Sequence, residues 1–370
     1  MGPNGSDPNQ DATNGPNREA GEPDQDGVGE SDAVTDERST LPRLSRRRVI
    51  ALSGGAVALG AGAWVFRPAP VSASLGWSTR AAMPSRRGEM KAAALDGRIY
   101  VPGGLTGVGG STNRLDVYDI ETDEWTEATG MPRGLNHHGT ATLEGQLFVV
   151  GGNERFTDPP GRFTYSYDPE RDEWAERQAL PDGRWGHELL PFADRLYVLG
   201  GVPDADDRID TLVYDPVADA WERAAPMPTR REHVAAATLN DGLVVVSGRW
   251  DGENVSSVAV YDPATDRWDE RTPIPTPRSG FGAATVDGEL YAIGGEDPAT
   301  FGGWTTDANE RYDPNANEWD RHPEIPLAVH GHAVVEVAGL LYVIGGAWRQ
   351  GLWSVTAWSD RMFVFDPAAD

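Results

Sequence analysis

The chain has 370 residues and a formal net charge of −26, with 44 Gly, 28 Pro, 13 Trp and no Cys. The lack of Cys excludes disulfides, thiolate catalysis, zinc–cysteine sites and lipid attachment at an N-terminal Cys. No basic stripe exists to neutralise phosphates, which excludes a nucleic-acid partner.

Lys91 is the single lysine, every other cation being Arg. Acid excess with lysine almost gone reads as adaptation to high salt, where the Debye length falls to about 3 Å and carboxylates repel one another little. A halophilic archaeal source is expected. Residues 1–44 are expected to be disordered: in the first 40, ten acids stand against two Arg, with almost no apolar periodicity. Such a segment buries too little surface to offset its ordering entropy.

The stretch Ser45-Arg46-Arg47-Arg48-Val49-Ile50 then leads into a Gly- and Ala-rich apolar run ending at Phe66. It resembles a twin-arginine (Tat) export signal. Val71-Ser72-Ala73 puts small residues where a signal peptidase reads. Residues 45–73 are therefore read as a signal, with Arg46 and Arg47 as its recognition pair and cleavage after Ala73, placing the mature chain outside the cell or on its surface. If the segment is retained, the 18 residues from Val49 to Phe66 just span a bilayer. A membrane contact is expected in that case alone.

From residue 74 onward the chain repeats. Trp77, Trp125, Trp174, Trp221, Trp268 and Trp319 are each followed 26 residues later by the first position of a glycine pair, Ser247-Gly248 being the single variant. An aromatic–acid pair stands seven residues before each Trp from Trp125 on (Tyr118-Asp119, Tyr167-Asp168, Tyr214-Asp215, Tyr261-Asp262, Tyr312-Asp313), and Phe365-Asp366 has no Trp after it. The period is 47–51 residues, a spacing that marks stacked or radial repeats.

An apolar strand before a Gly pair, then Tyr-Asp-Pro, then Trp, resembles the kelch repeat, and six copies cover residues 75–370. The resemblance implies an all-β fold: a six-bladed β-propeller over 74–370 with four antiparallel strands (a to d) per blade. Strand a follows a Met-Pro-like start, a tight turn such as Asp96-Gly97 joins it to b, c carries Tyr-Asp and d carries Trp. The last repeat stops after strand c, so the strand at Trp77 is expected to complete it and seal the ring, removing exposed edges.

The spacing from Gly pair to aromatic is the part that varies, so insertions sit in the b–c loops. Antiparallel order puts these at the same mouth of the central channel as the starts of the a strands. Four residues after each Met-Pro-like start stand Arg87, Leu135, Arg184, Arg231, Arg278 and Val329; two further on stand Glu89, His137, Gly186, His233, Gly280 and Gly331. Strand alternation would face both columns to one side. In kelch propellers that bind acidic ligands Arg at this position lines the pocket, so by resemblance Arg87, Arg184, Arg231 and Arg278 are candidates for bidentate capture of a carboxylate or sulfate. Arg155, Trp250 and Trp348 on the b–c loops, with His137 and His233, complete the candidate set, a Trp stacking on a sugar or apolar body. Asn153, Glu154, Arg249, Glu296 and Arg349 share those loops.

Six of the seven His (His137, His138, His187, His233, His330 and His332) lie near strand a. They occupy alternating faces, so no metal and no cofactor is expected. Asp204, Asp206 and Asp207 lack the Gly and distal Glu of an EF-hand loop.

Three functions are compatible with this reading. One is an exported module that binds a ligand, such as an anionic glycan, small acid or peptide, or a protein, through the central mouth. Another is a carbohydrate-active enzyme similar to the six-bladed, cofactor-free sialic-acid epimerases, with Glu89, Glu154 or Glu232 beside His137 or His233 as acid and base. Copper-radical oxidases need a Cys and are excluded. The third is a cell-surface interaction scaffold.

Overall fold

The computed structural model describes residues 75–369 except 108–109, 205–208, 241, 298–303, 350–353 and 355. The acidic N-terminal region and the export signal, with Arg46, Arg47 and Ala73, lie outside the described residues. Among the described residues no helix is long and apolar enough to cross a membrane.

Six four-stranded antiparallel sheets form the blades of a propeller. Blade 1 comprises Ala93–Leu95, Arg98–Pro102, Leu115–Asp119 and Glu124–Ala128. Blades 2 to 5 repeat this order from Gly139, Arg184, Ala235 and Gly282. Blade 6 takes Ala333–Val337, Leu340–Ile344 and Met362–Phe365 from the end of the chain, and its fourth strand is Trp77–Arg80. Trp77 pairs with Phe365 and Arg80 with Met362, so the ring closes as the repeat count requires.

The repeated residues turn out to be inter-blade ties. Each d-strand Trp stacks on the aromatic of its own c strand, at 5.1 Å for Tyr118–Trp125 and 4.9 Å for Trp77–Phe365. Its indole N–H donates to a carbonyl of the preceding blade: Trp125 to Ala81, Trp174 to Thr129, Trp221 to Gln178, Trp77 to Pro323. A buried indole needs such an acceptor. Asp123, Asp172, Asp219 and Asp266, two residues before Trp, accept both the tyrosine hydroxyl of their own blade and a backbone N–H of the preceding one.

The glycine pairs serve the same seam nearer the axis. The second glycine donates its N–H to the next blade, as in Gly152 to Arg184 (2.7 Å) and Gly346 to Arg87 (3.0 Å). A Cβ on Gly151, at φ +65°, would sit 2.3 Å from the Arg184 carbonyl oxygen, so only glycine fits without displacing backbone. Ser247 replaces the first glycine in blade 4 and turns its hydroxyl onto the Arg278 carbonyl at 2.7 Å.

Trp77→Ala should cost about 3–5 kcal/mol, as for a buried aromatic, because Trp77 is 4% exposed and carries the ring-closing seam. Urea denaturation in high salt measures it; an unchanged midpoint would mean that this strand does not hold the ring shut.

Candidate functional site

The inner ends of the blades meet in a closed circle of backbone hydrogen bonds. Glu89 donates to Gly331 (2.7 Å), His137 to Glu89 (2.9 Å), Gly186 to His137 (2.9 Å), His233 to Gly186 (2.7 Å), Gly280 to His233 (3.0 Å) and Gly331 to Gly280 (2.7 Å). All six residues have left-handed φ, between +49° and +67°. This is the second column of the repeat alignment, and its side chains crowd the axis.

Glu89 Oε2 lies 3.3 Å from His137 Nε2 and 3.9 Å from His233 Nε2. His330 Nδ1 lies 3.5 Å from Glu89 Oε1 and 3.3 Å from Glu296 Oε2. Arg249 donates to Glu232 at 2.7 Å, pairs with Glu296 and touches the His233 ring at 3.3 Å. Aromatic rings wall the mouth side: Trp185 stands edge-on to His137 and His233 at 5.3 and 5.4 Å, and Phe156, 60% exposed, lies 5.9 Å from His137. A cavity of ≈ 30 Å³ lies along the ring, bordered also by Lys91, His138, His187 and His332. Lys91 is paired with Glu188.

Burial would push the Glu89 carboxyl up, but the imidazoles of His137, His330 and His233 outweigh it and hold it well below the usual range. Burial pushes His137 down against the pull of Glu89. Burial and then Arg249 push His233 far down. Burial also opposes charge on His330, yet Glu296 and Glu89 raise it to about 9. The floor of the mouth therefore holds ionised Glu89, protonated His330 and neutral His233 within one contact network.

A family profile described as the KLHDC2/KLHL20/DRC7 Kelch-repeats domain matches residues 64–201 and 186–370. The chain belongs to the kelch-repeat family. Kelch-like protein 25 of Homo sapiens is 39% identical over 74 residues, 20% of this chain and 13% of that one. Beta-scruin of Limulus polyphemus is 36% identical over 76 residues, 20% of this chain and 8% of that one. The match thus spans a small part of these relatives' length. The solved structure of YjhT superposes on this kelch propeller with a TM-score of 0.66 at 18% identity, covering 78% of this chain and 97% of that one, which speaks for the fold alone.

The kelch propeller corrects the expectation for the arginine column. Arg87, Arg184, Arg231 and Arg278 do not line the mouth; each is at most 1% exposed and turns into its own blade. Arg87 bonds the Val101 carbonyl and Asp116, at 2.9 and 2.7 Å. Arg184 bonds the Gly200 carbonyl at 3.0 Å, Arg231 bonds Ser257, and Arg278 bonds the Ala292 carbonyl at 2.8 Å and pairs with Glu310. The physical reason is the left-handed residue two positions on. It breaks strand alternation, so the arginine faces the blade while the next column faces the axis. In five blades the regular a strand begins only beyond both.

Trp250 and Trp348 are half-buried, and Arg230 and Arg349 stack on them at 5.7 and 4.6 Å. Arg155 is exposed, its backbone bridging to Gly110 of the neighbouring hairpin. Glu154 pairs with Arg133 at 2.6 Å, apart from the axial cluster. Of the expected residues, His137 and His233 are the ones brought together. Glu89 and Glu232, two of the three expected acid–base partners, join them, and Glu296, from a b–c loop, reaches the same network through Arg249 and His330. Trp185 and Phe156 were not singled out, although an aromatic beside the glycine of the second column was readable in blade 3.

Arg278→Ala would leave Glu310 buried and unpaired, and should lower stability by about 3–5 kcal/mol. Ligand affinity per folded molecule should stay unchanged, which a titration alongside denaturation separates. A second expectation concerns pH. Burial drives His187 well below its ordinary value, and His332 to about 3. Both stay neutral when folded, whereas the unfolded chain protonates them near pH 6.5. Stability is therefore whole above that pH and falls on acidification, by about 1.4 kcal/mol per pH unit and per histidine. Urea midpoints from pH 7 to pH 5 should decline, and His332→Gln should flatten the decline.

Proposed function

We propose that this kelch propeller is an exported ligand-binding module whose site is the axial mouth. The observation that carries the reading is the axial cluster itself. Glu89, His137, His233, Arg249, Glu296 and His330 gather under Trp185 and Phe156, where inward-facing polar groups and an aromatic wall meet. Few placed polar groups with aromatic faces are what a small-molecule site requires.

Arg155, Arg230 and Arg349 stand on the d–a and b–c loops around that mouth, where Arg86 and Arg133 already pair with Asp360 and Glu154. They favour a ligand carrying a carboxylate or sulfate, such as an acidic sugar or a short acidic peptide. Export rests on Arg46-Arg47, the apolar run and the small residues ending at Ala73, and a saline setting on the near absence of lysine. An enzymatic reading is favoured by the Glu89–His137 contact at 3.3 Å, an acid–base pair that could serve an epimerase without a cofactor.

The test is a binding screen of acidic glycans and small acids in high salt, with the full chain and two variants. Phe156→Ala and Trp185→Ala should each weaken a hit about tenfold or more, near 1.4 kcal/mol, and Phe156→Ala should leave the melting temperature unchanged. Equal affinity in all three would move the site elsewhere. Binding by none would favour the scaffold, and turnover of a bound sugar would favour the enzyme.

A further inference from the structure

The axial ring carries glycine in blades 3, 5 and 6 (Gly186, Gly280, Gly331), and Glu89, His137 and His233 in blades 1, 2 and 4. All six share the left-handed conformation, with φ of 51°, 52° and 49° at the three residues that bear side chains. Glycine adopts it freely, whereas an L-residue gives up roughly 1–2 kcal/mol. Strain of this kind persists where the side chain has work to do at a site.

The donor atoms of those three side chains converge. One ligand atom from each of Glu89, His137 and His233 lies within 4.8 Å of the others, and Glu89 Oε2 is 3.3 Å from His137 Nε2 and 3.9 Å from His233 Nε2. Ligands on a tetrahedral zinc at 2.0–2.1 Å stand about 3.3 Å apart, and the Glu89–His137 separation is 3.3 Å already.

The protons are elsewhere. Asn136 Nδ2 donates to the Asn153 carbonyl (2.9 Å) and Ser111 Oγ (2.6 Å). That fixes Asn136 Oδ1 as the acceptor facing His137 Nδ1. His233 Nδ1 faces the Glu232 carboxylate. Each imidazole thus holds its N–H on Nδ1 and turns an unprotonated Nε2 toward the same carboxylate oxygen, the His233 Nε2 also lying 3.3 Å from Arg249 Nη2. The lone pairs of His137 Nε2 and Glu89 Oε2 face each other across 3.3 Å with no hydrogen between them, an opposition that a cation would relieve. Outer partners that orient ligating histidines by the other nitrogen are the usual companions of a metal. Arg249 Nε and Nη1 pair with Glu232 and Glu296, while its Nη2 lies 3.3 Å from both ring nitrogens of His233, a contact that an ion on His233 Nε2 would displace. The adjoining cavity of ≈ 30 Å³ has room for a water at an open coordination position.

We propose that Glu89, His137 and His233 form a site for a divalent transition-metal ion of the zinc class, with the remaining position open to water or to a ligand donor atom. The two-imidazole, one-carboxylate set suits such ions. The histidines divide into two groups by position: His138, His187 and His332 pack between blades, which is why counting them together hid the axial set. The proposal stands independently of the organic ligand proposed for the mouth.

The test strips the full chain with a chelator, then titrates Co²⁺, read by its visible absorption, and Zn²⁺, read by competition and native mass spectrometry. Wild type should take one ion per chain, with cobalt bands of a four- or five-coordinate site. His137→Gly and His233→Gly install the residue that half the ring already uses. They should keep or raise the metal-free melting temperature, yet lose roughly 100-fold or more in affinity, beyond the 10–100-fold typical of an outer partner alone. Glu89→Gln, which keeps the side-chain shape, should lose affinity likewise. Absence of saturable one-to-one binding, or equal binding by wild type and all three variants, would overturn the site and leave diffuse attraction to surface carboxylates. Metal binding without any glycan or acid hit, or the reverse, separates this proposal from the mouth reading.

Discussion

Six backbone hydrogen bonds around the axis set the terms for everything else in this propeller. Each inner blade end donates to the one before it, and the circle closes on itself at Glu89 and Gly331. A chain can make that circle only by entering the left-handed region at each step. A backbone hydrogen bond contributes about 1 kcal/mol net, and left-handed strain at a residue with a Cβ costs about as much. The circle is therefore nearly neutral in blades 1, 2 and 4 and favourable in blades 3, 5 and 6. Glycine enters that region without strain, whereas Glu89, His137 and His233 set their axial contacts against it.

The architecture was legible because its regularities are the same contacts repeated. The constant interval from Trp to the Gly pair joins two inter-blade ties of one blade: the indole donating outward, and the glycine N–H reaching the next blade. Counting those intervals located the closing strand at Trp77 without any structural information. The direction of the arginines was not legible by the same route. Alternation holds for extended residues, and Glu89, at φ +51°, is not extended. Three glycines in the second column carried the warning, since glycine recurring at one repeat position marks φ above zero more often than it marks a strand. The Asp or Asn two residues before Trp was a further unread column, and its role could be seen only once the preceding blade's N–H was in place beside it.

Electrostatics follows the same division between blade and axis. Among the described residues few acids are buried, and the rest stand at or near the surface. Inside the blades, arginines meet strand carbonyls at the splay left by the Gly pair, with Asp116 or Glu310 where a carboxylate is needed. Near the axis the pairing changes character: Glu89, Glu232 and Glu296 face imidazoles and one shared guanidinium, Arg249. Lys91, the single lysine, joins Glu188 beside the axial cavity. Ions buried in their own blade can be satisfied once by local geometry and left alone. Those at the axis answer to several blades at once, so their protonation depends on groups far apart in sequence.

That dependence is how a six-fold scaffold acquires a one-sided site. Blade 1 supplies Glu89, blade 2 supplies His137 and Phe156, blade 3 Trp185, blade 4 Glu232, His233 and Arg249, blade 5 Glu296 and blade 6 His330. Blades 2 and 4 repeat a histidine at the axial position, but no two blades present the same set, although all the contributions come from the same few repeat positions. The ties that hold the ring lie at the Trp, the Asp before it and the Gly pair, none of which reaches the mouth. Substitution at the axial column or in the b–c loops therefore changes what the mouth presents without loosening those seams. In this fold the ring circle is the one place where the demands coincide, because its backbone closes the propeller while its side chains define the site. Glycine there favours closure, whereas Glu89, His137 and His233 place side chains at the axis against left-handed strain.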